Sequence, residues 1–359
     1  MTTQKYSVEE ERALLVSARL GDERAYEVLI EGHRAELHAH CYRMLASVHD
    51  ADDAVQETLI RAWKGLSQFE SRSSIRTWLF KIATNSSFDV LKKRSRRELP
   101  LEYSKRAGPG ESPGDALLDA PWMEPYPDQW QQDVEKSPEA RYEALEGLEL
   151  AFIVAIQHIA PRQRAVLILR EVLGFSVEEI GELLETSVAA VNSSLQRARV
   201  TVANRMPVIS QQRELRTLGD VRVRDIARRY AEAIDRGDIA ALVGMLTHDA
   251  TWSMPPHPAW YRGVEAIAEF HAQFVANERW RHVTSSANGQ LAIGCYTFNP
   301  QRDCYVASVL DVLTIEGGFI STVTAFITPY VLRQSGEADE NYVGLVDFAR
   351  FGLPQEVDK

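Results

Sequence analysis

The sequence predicts two all-α lobes followed by an α+β domain, on three observations. Up to about residue 206, apolar residues recur at three- and four-residue spacing, the period of amphipathic helices. Between residues 99 and 137 that pattern stops, in a stretch crowded with Pro, Gly and acid that carries a net charge of -5. Such composition reads as a linker, and its length exceeds that of a plain loop inside one compact domain. Past residue 220, helices give way to runs of alternating Thr and Val bounded by Gly317-Gly318, which read as strands. The expected divisions are therefore 1–98, a linker 99–137, a second helical lobe 138–206, and an α+β domain 207–359.

Each element follows from local chemistry. Ser7-Val8-Glu9-Glu10 is a capping box, and Asp22 caps a second helix running towards Ala46. Val55, Leu59, Trp63 and Leu66 share one face of a third helix. Ile75, Leu79, Ile82 and Phe88 share one face of a fourth, which ends in Lys92, Lys93, Arg94, Arg96 and Arg97. After the linker, Ser137-Pro138 and Pro161 each open a helix, with proline at the first helical position. Ser176-Val177-Glu178-Glu179 is a second capping box, and Ser187 caps the last helix of the lobe. In the third domain a helix carrying Ile226, Tyr230 and Ile234 ends at Gly237, and a short one reaches Leu246. Another helix is expected near 263–276, with strands over 281–298, 303–315 and 319–330.

Composition narrows the function. The 359 residues carry a net charge of -11, which argues against a basic protein that coats DNA without specificity. Three scattered cysteines make neither a disulfide framework nor a Cys-rich metal site. The chain opens on polar residues with no apolar core of a signal peptide, and no run approaches a membrane span. The expectation is a reduced, cytoplasmic protein without metal, cofactor or membrane contact.

Two segments suit nucleic acid and one does not. From Ser176 to Arg205 a helix, the turn Glu185-Thr186-Ser187 and a second helix follow in order. On the second helix Val191, Leu195, Ala198 and Val202 share one face. Ala189, Asn192, Ser193, Gln196, Arg197, Arg199 and Val200 lie on or beside the other, with amide and guanidinium groups able to read base edges. The stretch from Phe69 to Arg97 interleaves Phe69 and Trp78 with Arg72, Ser73, Ser74, Arg76, Lys81 and Asn85 before its basic end at Lys92, Lys93 and Arg96. Cations, aromatics and an amide in that order suit an unstacked single strand. Asp52, Asp53, Gln56 and Glu57, by contrast, make an acidic face that DNA repels and a basic protein partner accepts.

These three features, in this order, resemble the extracytoplasmic-function (ECF) sigma factors of the sigma-70 family, over about residues 8–206. The carriers are DADDAVQETLIRAW, SIRTWLFKIATNSSFDVLKKR and PRQRAVLILREVLGFSVEEIGELLETSVAAVNSSLQRAR. The resemblance implies that Asp52, Asp53, Gln56 and Glu57 dock on the β′ coiled coil of core RNA polymerase, with the β flap as a second contact. It also implies that residues 69–96 meet the −10 promoter element and helix 188–200 the −35 element. Asn192 and Ser194 stand where many members carry cations, which puts the familiar −35 preference in doubt. Trp122-Met123-Glu124-Pro125-Tyr126-Pro127-Asp128 further resembles the subgroup with a fused SnoaL-like domain, of the nuclear transport factor 2-like fold. Residues 220–335 are then expected to form a cone-shaped barrel with a pocket.

The sequence shows none of the nucleotide-binding, zinc-protease or serine-hydrolase motifs. Asp235, His248, Asp249, His257, His271 and Asp311 are the candidate acid/base groups of the cone, with no spacing that pairs a base with a donor. Trp252, Met254, Trp260, Tyr261 and Phe274 are candidate pocket residues. The expected role is a promoter-specificity subunit and not an enzyme. The alternative is a small-molecule-binding or isomerase/cyclase-type cone coupled to a DNA-binding module. Contact between the third domain and the helical lobes, using the linker aromatics Trp122, Tyr126 and Trp130, is a further expectation. No feature identifies an anti-sigma partner.

Overall fold

The computed structural model describes residues 8–71, 73–131 and 145–359. Ser7, Arg72 and the Ser137-Pro138 helix start lie outside the described residues. The chain divides into two compact units, the first made of residues up to 97 together with 129–207, the second of 98–128 with 208–359.

The first unit is helical. Helices α1 (Val8–Arg19), α2 (Glu23–Leu45), α3 (Val48–Gly65) and α4 (Ile75–Leu91) form one lobe. Side chains fix where they start. Asp22, Ser47 and Ser74 accept hydrogen bonds from Ala25 N, Asp50 N and Thr77 N, satisfying amide donors that have no partner within the helix. Leu37, Tyr42, Leu79 and Phe80 are fully buried between the helices. The second lobe holds Leu150–Gln157, Pro161–Leu167 running into a π turn at Ile168–Val172, Val177–Leu183, and Val188–Ala203. The capping box predicted at Ser176 is present in both directions, Ser176 to Glu179 and back.

The two lobes pack together through arginines. Arg164, only 3% exposed, donates to the carbonyl oxygens of Met44, Gln157 and Ile159 and to Gln157 Oε1. Arg43 Nε donates to Gly147 O at 2.8 Å. Arg76 makes a fork to Glu36 at 2.7 and 3.0 Å and also donates to Leu173 O at 3.1 Å.

The second unit is α+β. A long helix (Gln211–Asp235), broken at Gly219 where φ is +75°, and the helix Val264–Phe274 pack with a curved sheet. Its strands are β1 (Leu246–Ser253), β2 (Trp260–Arg262), β3 (Trp280–Ala287), β4 (Gln290–Asn299), β5 (Cys304–Glu316), β6 (Phe319–Ile327) and β7 (Glu356–Val357). Their order is β2-β1-β6-β5-β4-β3, with β7 beside β5. Only the β1–β6 pair is parallel. Register shifts in the β1–β6, β4–β5 and β5–β6 pairs mark the irregularities that bend a sheet. The expected strand 281–298 is in fact the β3–β4 hairpin, turned at Asn288-Gly289, a dipeptide suited to positive φ. Strand β1 was not expected at all.

The stretch read as a linker divides. Residues 98–128 form a strap over the second unit. At one sheet edge Ala107 N donates to Trp260 O of β2, at 2.9 Å. At the other, Pro127 bridges Ala287 of β3, Tyr126 and Asn288 exchange backbone and side-chain hydrogen bonds, and Gly289 N donates to Asp128 Oδ1 at 2.8 Å. Between them Leu117 N donates to Pro256 O and Ala116 N to Glu337 Oε1. Unpaired strand edges invite pairing with other chains, and the strap meets each edge at one point. Trp122 and Tyr126 are buried, not displayed.

Asn288 is the hinge pin of this docking, because its side-chain oxygen accepts from Tyr126 N and its φ is +55°. Asn288→Ala strips a buried amide of its acceptor and puts alanine in a left-handed conformation. The expected loss is about 2–3 kcal/mol, read by chemical denaturation. Asn288→Gly, which relieves only the backbone term, should recover part of it. An Ala variant as stable as the parent would mean that the strap does not depend on this contact.

Candidate nucleic-acid and polymerase interfaces

On the Val188–Ala203 helix, Val191, Leu195 and Ala198 are buried, while Ala189, Asn192, Ser193, Gln196, Arg197, Arg199 and Val200 are exposed, as the helical period requires. Val202 is only half-buried. Ser187 caps the helix through Ala190 N, satisfying one of its first-turn amides. Two of these exposed groups are held from within: Arg197 donates to Ser193 Oγ at 2.7 Å, and Arg199 pairs with Glu171. Both pairs are exposed, and such pairs are worth little in water, so either arginine is easily redirected.

In the first lobe, Phe69 and Trp78 stack with centroids 4.8 Å apart and planes at 30°. Together with Gln68, Ile82 and Asn85 they line a surface recess. Phe69 is itself buried, whereas Asn85 is exposed. Ser73 lies in the turn before α4 and does not line the recess, and Ser74 is occupied as the helix cap. Arg76, expected among the −10 contacts, is instead turned towards the second lobe, with its guanidinium over Phe80 and Phe175.

The basic run is likewise shared between surface and scaffold. Arg94 and Arg97 both pair with Asp50, a buried carboxylate at the start of α3. Arg96 hydrogen-bonds His158 Nδ1 at 2.7 Å, and Lys92 pairs with Asp89. Lys93 is exposed. On α3, Asp53 and Gln56 face solvent, Glu57 pairs with Arg61 at 2.6 Å, and Arg61 reaches Asp89 at 3.1 Å. Asp52 points elsewhere, to His38 Nε2 at 3.1 Å, and His38 meets Trp130 edge-on at 4.7 Å. The acidic surface thus comprises Asp53, Gln56 and Glu57, with a part-exposed Asp52 that also pairs with His38.

In the second unit a partly open cavity of about 60 Å³ is lined by Trp252 and Met254 among the expected pocket residues. Trp260, Tyr261 and Phe274 do not line it. Trp260 Nε1 donates to Ser104 O and Tyr261 OH to Glu111 O, so both hold the strap. Phe274 is 43% exposed on the surface. Of the candidate acid/base groups, Asp249 pairs with Arg262 on the surface, His248 is exposed, and His257 Nδ1 bonds Gly114 O of the strap. His271 and Asp311 do enter the cavity wall, joined by His282 and Cys295, which sequence reasoning missed. Asp311 Oδ2 accepts from Tyr230 OH at 2.7 Å and from Cys295 Sγ at 3.2 Å, and Asp235 lies 2.7 Å from His282 Nδ1. Burial raises the pKa of Asp311 against the pull of those two donors, and burial lowers that of His271 to about 3.

The first unit thus joins a helix-turn-helix to a four-helix lobe with an acidic face, and the second is an α+β domain. Residues 29–97 match Sigma-70 region 2, residues 149–202 match Sigma-70, region 4, and residues 227–323 match the SnoaL-like domain. The chain is 39% identical over 315 residues to the ECF RNA polymerase sigma factor SigG of Mycobacterium tuberculosis, covering 86% of this chain and 83% of SigG. It is 28% identical over 191 residues to SigW of Bacillus subtilis, covering 50% of this chain and 87% of SigW. Its fold is similar to the crystal structure of the M. tuberculosis ECF sigma factor SigJ, with a TM-score of 0.54 and 19% identity over 85% of this chain and 97% of that one. The chain belongs to the ECF RNA polymerase sigma factors and carries a C-terminal SnoaL-like domain. No helix among the described residues is long and apolar enough to cross a membrane.

Proposed function

We propose that Asp53, Gln56 and Glu57 dock this sigma factor on core RNA polymerase, that the Phe69–Trp78–Asn85 recess receives an unstacked −10 base, and that Asn192, Ser193, Gln196 and Arg197 read −35 base edges. The observation that carries the reading is the Val188–Ala203 helix, which buries one stripe and exposes amide, hydroxyl and guanidinium groups on the other. Those groups suit the major groove. Lys92, Lys93 and Arg96, in the basic run that follows α4, are assigned to backbone phosphates. Asp52, which pairs with His38 and is partly exposed, is assigned to the rim of the same acidic face as Asp53 and Glu57.

The deciding experiment is run-off transcription with core polymerase, paired with a direct polymerase-binding measurement. Asp53→Lys with Glu57→Lys should abolish holoenzyme formation. The fold should lose no more than about 1 kcal/mol, because only an exposed pair with Arg61 is broken. Full polymerase binding by that variant would refute the docking face. Arg197→Ala should relax discrimination at one −35 position by roughly 1–3 kcal/mol. Equal weakening on every promoter would make Arg197 a backbone contact.

The closed first unit carries a corollary. A compact body of about 170 residues has a diameter on the order of 40 Å, whereas the −10 and −35 elements lie about 85 Å apart at ~3.4 Å per base pair. The two lobes therefore separate for both elements to be read at once. We assign the SnoaL-like domain a regulatory role in that step. Because residues 98–128 are bound to it, truncation after Met206 would strand Trp122 and Tyr126. Asn288→Ala in the full chain is the cleaner test, and unchanged transcription from it would count against the role.

A further inference from the structure

We propose that the cavity of the SnoaL-like domain binds the hydroxyl end of a small, uncharged amphipathic alcohol. Four buried polar atoms on the residues around this cavity, Trp252 Nε1, His271 Nε2, His282 Nε2 and Asp311 Oδ1, have no hydrogen-bond partner. A buried polar atom left unpaired is costly, and four on residues lining one cavity point to a ligand that pairs them.

Their chemistry selects the ligand. Trp252 Nε1 only donates. His282 Nδ1 faces the Asp235 carboxylate, which only accepts, so Nδ1 carries a proton, and a ring with that single proton offers Nε2 as an acceptor. A hydroxyl both accepts and donates, and so answers both. No lysine or arginine lines the cavity, so an anion would find no counter-charge. Burial favours the protonated form of Asp311 and the neutral form of His271, so a cation gains no fixed partner either. The remaining wall is apolar, including Phe270, Val275 and Trp280. A volume of about 60 Å³, against roughly 30 Å³ per water in the liquid, admits about two non-hydrogen atoms. The rest of the ligand then lies along the open side.

The test is titration calorimetry of the full chain with 1-hexanol, hexanoate and hexylamine at neutral pH, three probes with one carbon skeleton and three charges. Hexanol should bind at least about tenfold tighter than either ion. Trp252→Phe removes the donor and should cut that preference about tenfold. Asp311→Asn, as a second variant, should also weaken hexanol, provided its melting curve matches the parent's. Equal binding of the three probes, preference for either ion, or hexanol affinity unchanged in both folded variants would overturn the proposal. Neither polymerase nor DNA enters the measurement, so its failure leaves the promoter-reading assignment untouched.

Discussion

Replacing Arg164 with methionine is expected to cost about 3–5 kcal/mol and to part the two helical lobes while each keeps its helices. The guanidinium satisfies the carbonyl oxygens of Met44, Gln157 and Ile159 together with the Gln157 side chain, all in a buried site. Methionine fills much of the space but donates nothing, so several buried acceptors are left bare at about 1–3 kcal/mol each, with partial relief by water. Burial already lowers the Arg164 pKa to about 10, with the nearby Arg96 charge adding to the effect. The guanidinium stays charged at neutral pH, and its carbonyl partners are the stabilising side of the balance. The Met44 carbonyl belongs to the first lobe and Arg164 to the second, so the bond is also a latch between them. Thermal denaturation should fall by on the order of 10 °C. Small-angle scattering should show a larger radius of gyration at unchanged far-ultraviolet dichroism. A compact Arg164→Met protein would show that Arg43–Gly147 and the Arg76 fork hold the lobes without it.

What the sequence made legible was periodic or local. The helix-turn-helix was readable because its capping box and its Val191/Leu195/Ala198 stripe lie within thirty residues, and each signal depends only on neighbours. Arg164 and Arg76 gave no such signal. A surface arginine and an arginine donating to carbonyls of another lobe look identical in a helical pattern, and only packing tells them apart. The strap was misread for a related reason. Proline, glycine and acid have no period of their own, yet their backbone can still pair with two sheet edges and bury Trp122. The cavity was the least legible part. Its polar groups come from two helices and strands β1, β3, β4 and β5, spread from Asp235 to Asp311, so no spacing could have joined them. Of the four aromatics and one methionine expected there, only Trp252 and Met254 arrived. The alternation of a strand says which residues face inward but not which inward residues meet.

Mild acid should destabilise the helical unit more than the SnoaL-like unit, and the reason is a pair of histidines with one opposing carboxyl. His40 is fully buried between α2 and α4, with its Nε2 2.9 Å from Thr84 Oγ1. Thr84 gives its own proton to Phe80 O, so Nε2 carries the imidazole hydrogen and Nδ1 is left bare. Protonating Nδ1 would place a charge in an apolar core, and burial, reinforced by the Arg43 charge, lowers the pKa to about 3. His271 in the second unit is lowered to about 3 by burial alone. A folded pKa below the unfolded value means that the unfolded chain binds more protons. The contribution is therefore complete above about pH 6.5 and is lost progressively as pH falls towards 3. At pH 5 each histidine costs its unit about 2 kcal/mol. Asp311 has the opposite sign. Its raised folded pKa favours the native state at low pH and costs stability as pH rises through the carboxyl range, so it offsets His271 within the same unit. Nothing comparable offsets His40 among the described groups of the first unit. Melting followed at pH 7.5 and 5.0 should show the helical transition moving down much further than the other, and His40→Gln should flatten that pH dependence. Parallel shifts of the two transitions, or a slope unchanged in His40→Gln, would mean that the acid response comes from other groups, such as His33, whose pKa burial also lowers, or the exposed Lys81–Glu185 pair, and not from the His40 imidazole.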